Sequence, residues 1–198
     1  VTWNNFKNCG VQHTQCTRTK EVTLDQVEYA NALRCISHPQ LSSGKPEDKA
    51  VPELHQLYMS LLGAVAYLAH TRVDILVFIS ALQRHTSSPS LEHVRKLNKL
   101  LRWLQRHPKK LEYKAMNGSG THLRCISDAA FKRESDTGYS LRGALYLRGG
   151  GQQAEAFAAD GTVHVLDWTC RAQRHVTRST FAAELRSGGD AVDQGILV

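Results

Sequence analysis

The sequence predicts an α+β fold, with a helical middle region followed by an antiparallel sheet on which one helix packs. Two observations predict this order. Between residues 51 and 107, apolar residues recur at intervals of three and four, the period of amphipathic helices. Three short apolar runs at residues 123–127, 139–147 and 163–169 then indicate strands, and a helix-like segment carrying Glu184 follows them.

The composition fits a folded protein that binds a polyanion. The chain has 198 residues, 41% of them hydrophobic, which is enough for one larger domain or two small ones. Its formal charge of +7 and isoelectric point near 9.3 favour phosphate binding, because lysine and arginine that neutralise phosphates release counterions. The sequence has no run of about 18 apolar residues, so we expect no membrane span.

The five cysteines lie far apart along the chain, which is typical of reduced thiols in an intracellular protein. Cys9, His13 and Cys16 raise the question of a zinc site. Three ligands at this spacing match no usual zinc motif, so we do not expect a metal there. The chain opens on Val1 and has no basic-then-apolar leader, and we expect it to be a piece of a longer protein.

The first 50 residues indicate one strand, one short helix and an exposed connection. Residues 21–24 have the pattern of a strand, and Asp25 is a suitable cap for a helix that begins near Val27. Residues 38–51 are rich in Pro, Ser, Gly, Lys and Glu, which predicts a connection at the surface.

Two helices are predicted between residues 52 and 82. Pro52 suits a first helical position, and Glu53 suits the positive end of the helix dipole. Residues 71–74 interrupt the apolar pattern and divide the two helices. The predicted core-facing residues are Leu54, Leu57, Leu61, Val65 and Leu68 in the first helix, and Ile75, Phe78, Ile79 and Leu82 in the second.

A third helix is predicted over residues 91–107, with a serine cap before it and Pro108 after it. Its predicted buried residues are Val94, Leu97, Leu101 and Leu104. A second face repeats cations at intervals of four, three and four, at Arg95, Lys99, Arg102 and Arg106, and Lys109 and Lys110 extend the charge. This row fits a solvated face and a track along a nucleic-acid backbone equally well. Residues 117–120, Asn-Gly-Ser-Gly, predict a linker and a domain boundary.

Residues 58–75 resemble a signature of copia-type retrotransposon Pol polyproteins. The runs Y-M-S-L-L-G-A-V-A-Y-L-A and T-R-V-D-I are similar to Y-R-S-L-V-G-A-L-L-Y-L-A and T-R-P-D-I of that family, with Val73 in place of the proline. In the family this segment follows the palm of the reverse transcriptase and leads into an RNase H domain. Pro89, His93 and the L-L-R-W-L run at residues 100–104 resemble the family's P-x-x-x-H and V-L-R-Y-L.

The last third of the chain resembles two further motifs of the family. The run S-D-A at residues 127–129 is similar to the family's S-D-A-D. The run D-T-G-Y at residues 136–139 is similar to the aspartate and the S-G-Y that follow in the family. The family pattern W-x-S-x-x-Q-x-x-V-x-x-S-S-T-E-A-E matches without a gap, at offsets of 5, 8, 11 and 16, at Trp168, Gln173, Val176, Ser179 and Glu184. The departures are Ala130-Phe131 for Asp-Trp, Cys170 for a serine, and an apparent insertion at residues 152–162, expected to form an extended hairpin.

The resemblance implies three regions and a set of partners. Residues 1–50 would be the end of the palm and a linker, residues 51–117 a helical thumb or connection, and residues 118–198 a partial RNase H-like domain. The implied partners are an RNA–DNA hybrid or other nucleic acid and the rest of the Pol polyprotein, and the implied location is the cytoplasm or a virus-like particle, with access to the nucleus. The chain contains no Asp-Asp pair like that of a polymerase site.

The implied chemistry is hydrolysis of the hybrid's RNA strand by two magnesium ions held by carboxylates. Asp128 and Glu184, 56 residues apart, match the first two metal ligands. The family's remaining acids follow the first RNase H helix, and the chain ends at Val198. Asp190 and Asp193 would lie about 120° and 180° from Glu184 on a continuous helix, and would approach its metal only if Gly188-Gly189 broke that helix. We therefore expect an incomplete site.

Two alternatives remain open at the level of the sequence. The chain could be a non-catalytic, nucleic-acid-binding remnant of such an element, in which the cationic row of the third helix still holds a duplex. It could also be a helical protein-interaction module that uses the apolar residues between Leu54 and Leu82.

Overall fold

A computed structural model describes the protein at residues 4–116, 121–130, 139–150 and 162–198. The chain forms two compact units: unit 1 consists of Val1–Gln15 and Thr23–Leu111, and unit 2 of Cys16–Val22 and Glu112–Val198. Helices and antiparallel sheets are both present, so the predicted α+β class is confirmed. The predicted linker at residues 117–120, the motif residues 136–138 and residues 152–161 of the predicted hairpin lie outside the described residues.

Unit 1 opens with a hairpin that the sequence pattern did not reveal. Strands β1 (Asn5–Asn8) and β2 (Val11–Gln15) pair antiparallel across a two-residue turn, Cys9-Gly10. Both turn residues have positive φ, 45° and 73°, as a type I′ hairpin turn requires. The sheet order is β1-β2-β3-β4, with β3 at Val22–Asp25 and β4 at Leu111–Tyr113.

Five α-helices follow one another in unit 1. They are α1 (Val27–Ala32), α2 (Pro39–Ser43), α3 (Pro52–Tyr67), α4 (Leu76–Gln83) and α5 (Leu91–Arg106). Helix α2 lies inside the segment predicted to be an exposed connection. The predicted cap of α1 was displaced by one residue: Gln26 occupies the cap position, and the Asp25 carboxylate accepts a hydrogen bond from the Val27 amide at 3.1 Å.

Helices α3, α4 and α5 build the core of unit 1. The four predicted core residues of α5 are at most 1% exposed, which confirms that stripe. The predicted faces of α3 and α4 were wrong at Leu57 and Phe78, which are 45% and 54% exposed. In α3 the neighbouring Tyr58 is buried instead, and its hydroxyl donates to the Leu82 carbonyl of α4 at 2.8 Å. Burial raises the pKa of Tyr58 to about 12.

The start of α5 is fixed by reciprocal capping. Ser90 is the N-cap, and its backbone N–H donates to the His93 ring nitrogen Nδ1 at 3.0 Å. The same ring stacks on His85, with centroids 3.8 Å apart. Since Nδ1 accepts this bond only when it carries no proton, the cap requires a neutral His93.

Unit 2 is a three-stranded antiparallel sheet with one helix. Its strands are β5 (Thr121–Ala130), β6 (Leu141–Gly150) and β7 (Val163–Ala172), in the order β5-β6-β7. Strand β6 therefore begins two residues later than predicted, and β7 ends three residues later. Helix α6 runs from Thr180 to Leu197 without a break at Gly188-Gly189. Among the described residues, no helix combines the length and apolar character that crossing a membrane would need.

Helix α6 lies on one face of this sheet. The Gly195 backbone comes close to the Cys125 sulfur and the Tyr146 ring, and a Cβ atom at Gly195 would stand only 2.5 Å from that sulfur. The Ser187 hydroxyl donates to the Asp128 carbonyl of β5 at 2.9 Å. On its inner side α6 buries Ala183, Ser187 and Ala191, one turn apart, so small residues allow this close approach.

Candidate functional site

The predicted cationic row on α5 divides into structural and free members. Arg95 is half-buried, and its guanidinium Nη2 donates to the carbonyls of Leu41 and Gly44 at 2.7 and 2.9 Å. These bonds hold the segment that follows α2. Arg95 is therefore committed to the fold of unit 1.

Three cations of the row remain exposed on the same helix face. Lys99, Arg102 and Arg106 lie at positions i, i+3 and i+7 and span roughly 10 Å along the helix axis. Within the described residues, these three side chains form one polar contact, in which the Arg102 guanidinium lies 3.9 Å from the Cys35 sulfur. Arg106 also lies in the last turn of α5, where a cation favours the helix dipole.

The two lysines after α5 take part in ion pairs. The Lys109 ammonium lies 3.3 Å from the Asp74 carboxylate, and the Lys110 ammonium lies 3.2 Å from the Asp25 carboxylate. Both lysine side chains stay more than half exposed, so these pairs are weak and screened by solvent. Lys109 and Lys110 remain able to face a polyanion.

The T-R-V-D signature has a structural explanation. Arg72 is 5% exposed, and its guanidinium forms two parallel bonds to Asp74, at 2.9 and 3.0 Å. A third donor reaches the His107 carbonyl at 2.9 Å, and the guanidinium lies over the Trp103 ring. Burial opposes the charge on Asp74, but Arg72 and Lys109 outweigh it and hold the pKa of Asp74 below its usual value. This motif fixes the end of α5 next to its free cations.

In unit 2, the motif that runs from Trp168 to Glu184 fixes the start of α6. The Gln173 side chain donates to the Ala183 carbonyl at 2.8 Å, while its backbone N–H donates to the Ser140 carbonyl. Ser179 is the N-cap of α6 and accepts from the Ala182 amide at 3.1 Å. Two of the five matched positions therefore place the first turns of the helix that carries Glu184.

The two predicted metal ligands lie on neighbouring elements. Asp128 follows the apolar run that predicted β5, but the strand continues past it, so that Asp128 lies two residues before the strand's end. Its backbone meets α6 at Ser187, three residues beyond Glu184. Neighbouring side chains in a strand point to opposite faces, so the exposed Asp128 carboxylate projects from the face opposite to the buried Ala129. Among the described residues, neither the Asp128 nor the Glu184 carboxylate forms a hydrogen bond or an ion pair.

The other acids of α6 do not complete a metal site. Because α6 is continuous through Gly188-Gly189, Asp190 and Asp193 point away from Glu184. The Asp190 carboxylate instead pairs with the Arg142 guanidinium of β6. In the described part of the chain, no group of three or more His, Cys, Asp or Glu side chains is placed to hold a metal ion.

Sequence comparisons relate the chain to polyproteins of retroelements. It is 28% identical over 130 residues to the retrovirus-related Pol polyprotein from transposon RE1 of Arabidopsis thaliana, a match covering 66% of this chain. It is 27% identical over 173 residues, 85% of this chain, to the corresponding polyprotein from transposon RE2 of the same plant. The matches span 8% and 11% of these relatives. No protein-family model and no solved structure matches the chain.

These relatives confirm the resemblance to a retrotransposon Pol polyprotein. Two proteins carry that description, and their matches cover 66% and 85% of the sequence. The chain is thus similar to a short segment of a much longer polyprotein.

Proposed function

We propose that this chain is a segment of a copia-type reverse transcriptase and RNase H whose unit 1 binds an RNA–DNA hybrid. The observation that carries the proposal is the row of Lys99, Arg102 and Arg106, exposed on one face of α5 while the opposite face is buried in the core. The similarity to Pol polyproteins and the copia-type signature supply the polynucleotide context. The site of action would be the cytoplasm or a virus-like particle.

The physical basis of this binding is charge neutralisation along a backbone. A rigid helix presents the three cations at fixed spacing, and each contact with a phosphate releases condensed counterions. Such binding is independent of base sequence and weakens as salt rises. The core of unit 1 holds α5 in place, so little order has to be gained on binding.

Unit 2 would supply only part of a nuclease site. The resemblance assigns Asp128 and Glu184 to Mg²⁺, which prefers carboxylate oxygens. The Asp128 carboxylate projects from the face of the sheet away from α6, so these two side chains do not converge on one ion. The described residues do not fit a complete two-metal centre, because no third acid joins them. We therefore expect the chain by itself to bind hybrid without cleaving it, and the rest of the Pol polyprotein to be its partner.

The test is hybrid binding as a function of salt, measured by fluorescence anisotropy of a labelled RNA–DNA duplex. The affinity falls as salt rises, and the steepness of log K against log salt should decrease by about 1 in each single variant: Lys99→Gln, Arg102→Gln and Arg106→Gln. Lys96→Gln is the matched control, because Lys96 lies on the same helix but pairs with Glu92 at 2.8 Å. Equal slopes for all four variants and the wild-type chain would contradict the proposal.

A second candidate function is a helical protein-interaction module. Exposed apolar side chains on α3 and α4 favour it: Leu57, Met59, Val77 and Phe78 are between 44% and 54% exposed. Isolated exposed apolar residues are common on folded proteins, so this observation is the weaker of the two. Absence of any hybrid binding at low salt would favour this second function.

A further inference from the structure

We propose that a groove in unit 2, between strands β6 and β7 and helix α6, binds a phosphate monoester, with Arg142 as its buried anchor. The groove lies on the α6 face of the sheet, whereas the Asp128 carboxylate projects from the other face. The inference does not depend on hybrid binding by unit 1, and the four arginines of the groove match none of the motifs above.

Arginine dominates the polar lining of the groove. Arg142 comes from β6, Arg171 and Arg174 from the end of β7 and the residues after it, and Arg186 from α6. Arg171, Arg174 and Arg186 are exposed, so their guanidinium groups can move toward a ligand. Planar guanidinium forks match the oxygen geometry of a phosphate.

Arg142 is the unusual member of this set. It is 7% exposed, and its Nε has no hydrogen-bond partner among the described residues. The Arg142 guanidinium forms an ion pair with the Asp190 carboxylate, and this pair does not use all of its N–H donors. Burial, together with the positive charges of Arg171 and Arg174, lowers the pKa of Arg142 below its usual value. A bound anion would relieve both the unmet donor and the mutual repulsion of the cations.

The carboxylates of the groove do not cancel this charge. Asp190 is paired with Arg142, and the Asp167 carboxylate accepts hydrogen bonds from the Gln194 side chain, at 3.1 Å, and from the Trp168 amide. Asp193 is the third carboxylate against four arginines.

Gln173 favours a monoester over a diester. It is 5% exposed, its Nε2 is held by the Ala183 carbonyl, and its Oε1 has no hydrogen-bond partner in the described part of the chain. An unmet acceptor and an unmet arginine donor that line the same groove suit a ligand with both an anionic oxygen and a hydroxyl. A phosphate monoester has both near its second pKa of about 6, and inorganic phosphate also has both near neutral pH, whereas a phosphodiester has no P–OH group.

The test is titration of the full chain with inorganic phosphate at pH 6.5 and constant ionic strength, followed by calorimetry and by the arginine Nε–H resonances. We expect saturable binding that shifts the Arg142 Nε–H signal. Arg142→Gln should abolish it, and Arg174→Gln should weaken it about tenfold, the loss of roughly one charge-assisted hydrogen bond. Arg148→Gln is the control, because Arg148 is exposed on the same strand outside the groove.

Two further ligands identify the source of the phosphate. Tighter binding of a 5′-phosphorylated trinucleotide than of inorganic phosphate would assign the groove to a strand end, and equal binding would assign it to free phosphate. The proposal is overturned if inorganic phosphate does not bind, if the unphosphorylated trinucleotide binds as well as the phosphorylated one, or if Arg148→Gln loses as much binding as Arg174→Gln. The exposed position of Arg174 keeps the test valid even if Arg142→Gln fails to fold.

Discussion

Units 1 and 2 differ in how much apolar surface each buries by itself. Unit 1 has sixteen buried apolar residues in one cluster, built mainly from α3, α4 and α5. Among the described residues of unit 2, the buried apolar side chains are Ala129, Tyr146, Ala183 and Ala191. Three of these four are alanine, so the described part of unit 2 gains far less from the hydrophobic effect than unit 1 does.

Helix α6 shows the same difference on its outer side. An apolar stripe with spacings of four, seven and four residues is 58–79% exposed there, formed by Phe181, Leu185, Val192 and Ile196. In α5, by contrast, the apolar stripe is buried and the exposed side is cationic. Unit 1 therefore combines a large buried apolar core with an exposed cationic helix face. Unit 2 has the features of a structure that needs a further apolar surface, in our proposal another part of the Pol polyprotein.

The largest expected effect contrasts one leucine from each stripe. Leu101→Ala removes a fully buried side chain of α5 and should lower the free energy of unfolding of unit 1 by about 3 kcal/mol. Leu185→Ala changes a side chain that is 65% exposed and should alter the stability of unit 2 by less than about 0.5 kcal/mol. Hydrogen exchange measured on peptides resolves the two units. A large loss in Leu185→Ala would show that the stripe is already covered.

A smaller effect contrasts two arginines. Arg72→Gln breaks the paired bonds to Asp74 and should destabilise unit 1 by about 2 kcal/mol. Arg148→Gln, at an exposed position of β6, should change stability by less than about 0.5 kcal/mol. Urea denaturation of both variants provides the measurement, and similar losses for the two would remove the structural role of the T-R-V-D motif.

The smallest expected effect is a pH dependence confined to unit 1. Burial is the main cause that lowers the pKa of both His85 and His93. Nearby positive charge lowers each pKa further, from Arg84 and Lys96 at His85, and from His85 and Lys96 at His93. The negative charge of Glu92 opposes the shift at both histidines. A base whose folded-state pKa is lowered stabilises the fold above its unfolded-state pKa of 6.5, and that contribution is lost as pH falls through the folded-state pKa. The stability of unit 1 should therefore decrease between about pH 7 and pH 5.

His93→Gln separates the cap from the titration. Glutamine at the third helical position can accept the Ser90 N–H without taking up a proton, so the variant should keep the cap and show a flatter pH profile. Hydrogen exchange of the first turn of α5 at pH 7 and pH 5 gives the comparison. An unchanged profile in His93→Gln would assign the pH dependence to other groups.

Much of the fold was predictable from local patterns. Period and caps predicted α3, α4 and α5, and the three apolar runs predicted the strands of unit 2. Leu57 and Phe78 were assigned to the core wrongly, because an interval of three or four allows two adjacent helical faces and only packing selects one of them. The β1–β2 hairpin was missed because its turn is Cys9-Gly10 rather than the commoner Asn-Gly.

The candidate site was predictable in its residue types but not in its contacts. Arg95 belongs to the cationic row by spacing, yet its acceptors are backbone carbonyls more than 50 residues away, which no local pattern reveals. The continuity of α6 through Gly188-Gly189 was also uncertain, since two glycines disfavour a helix by roughly 1 kcal/mol each. Packing of small residues against β5 outweighs that cost.

The most direct test of the account is incubation of the full chain with a saturating labelled RNA–DNA hybrid and Mg²⁺, beside Asp128→Asn and Glu184→Gln. We predict that all three chains bind the hybrid with similar affinity and leave its RNA strand intact. That result would agree with a binding surface in unit 1 and an incomplete metal site in unit 2. Magnesium-dependent cleavage by the wild-type chain, lost in both variants, would contradict the account by showing a complete nuclease centre within these residues.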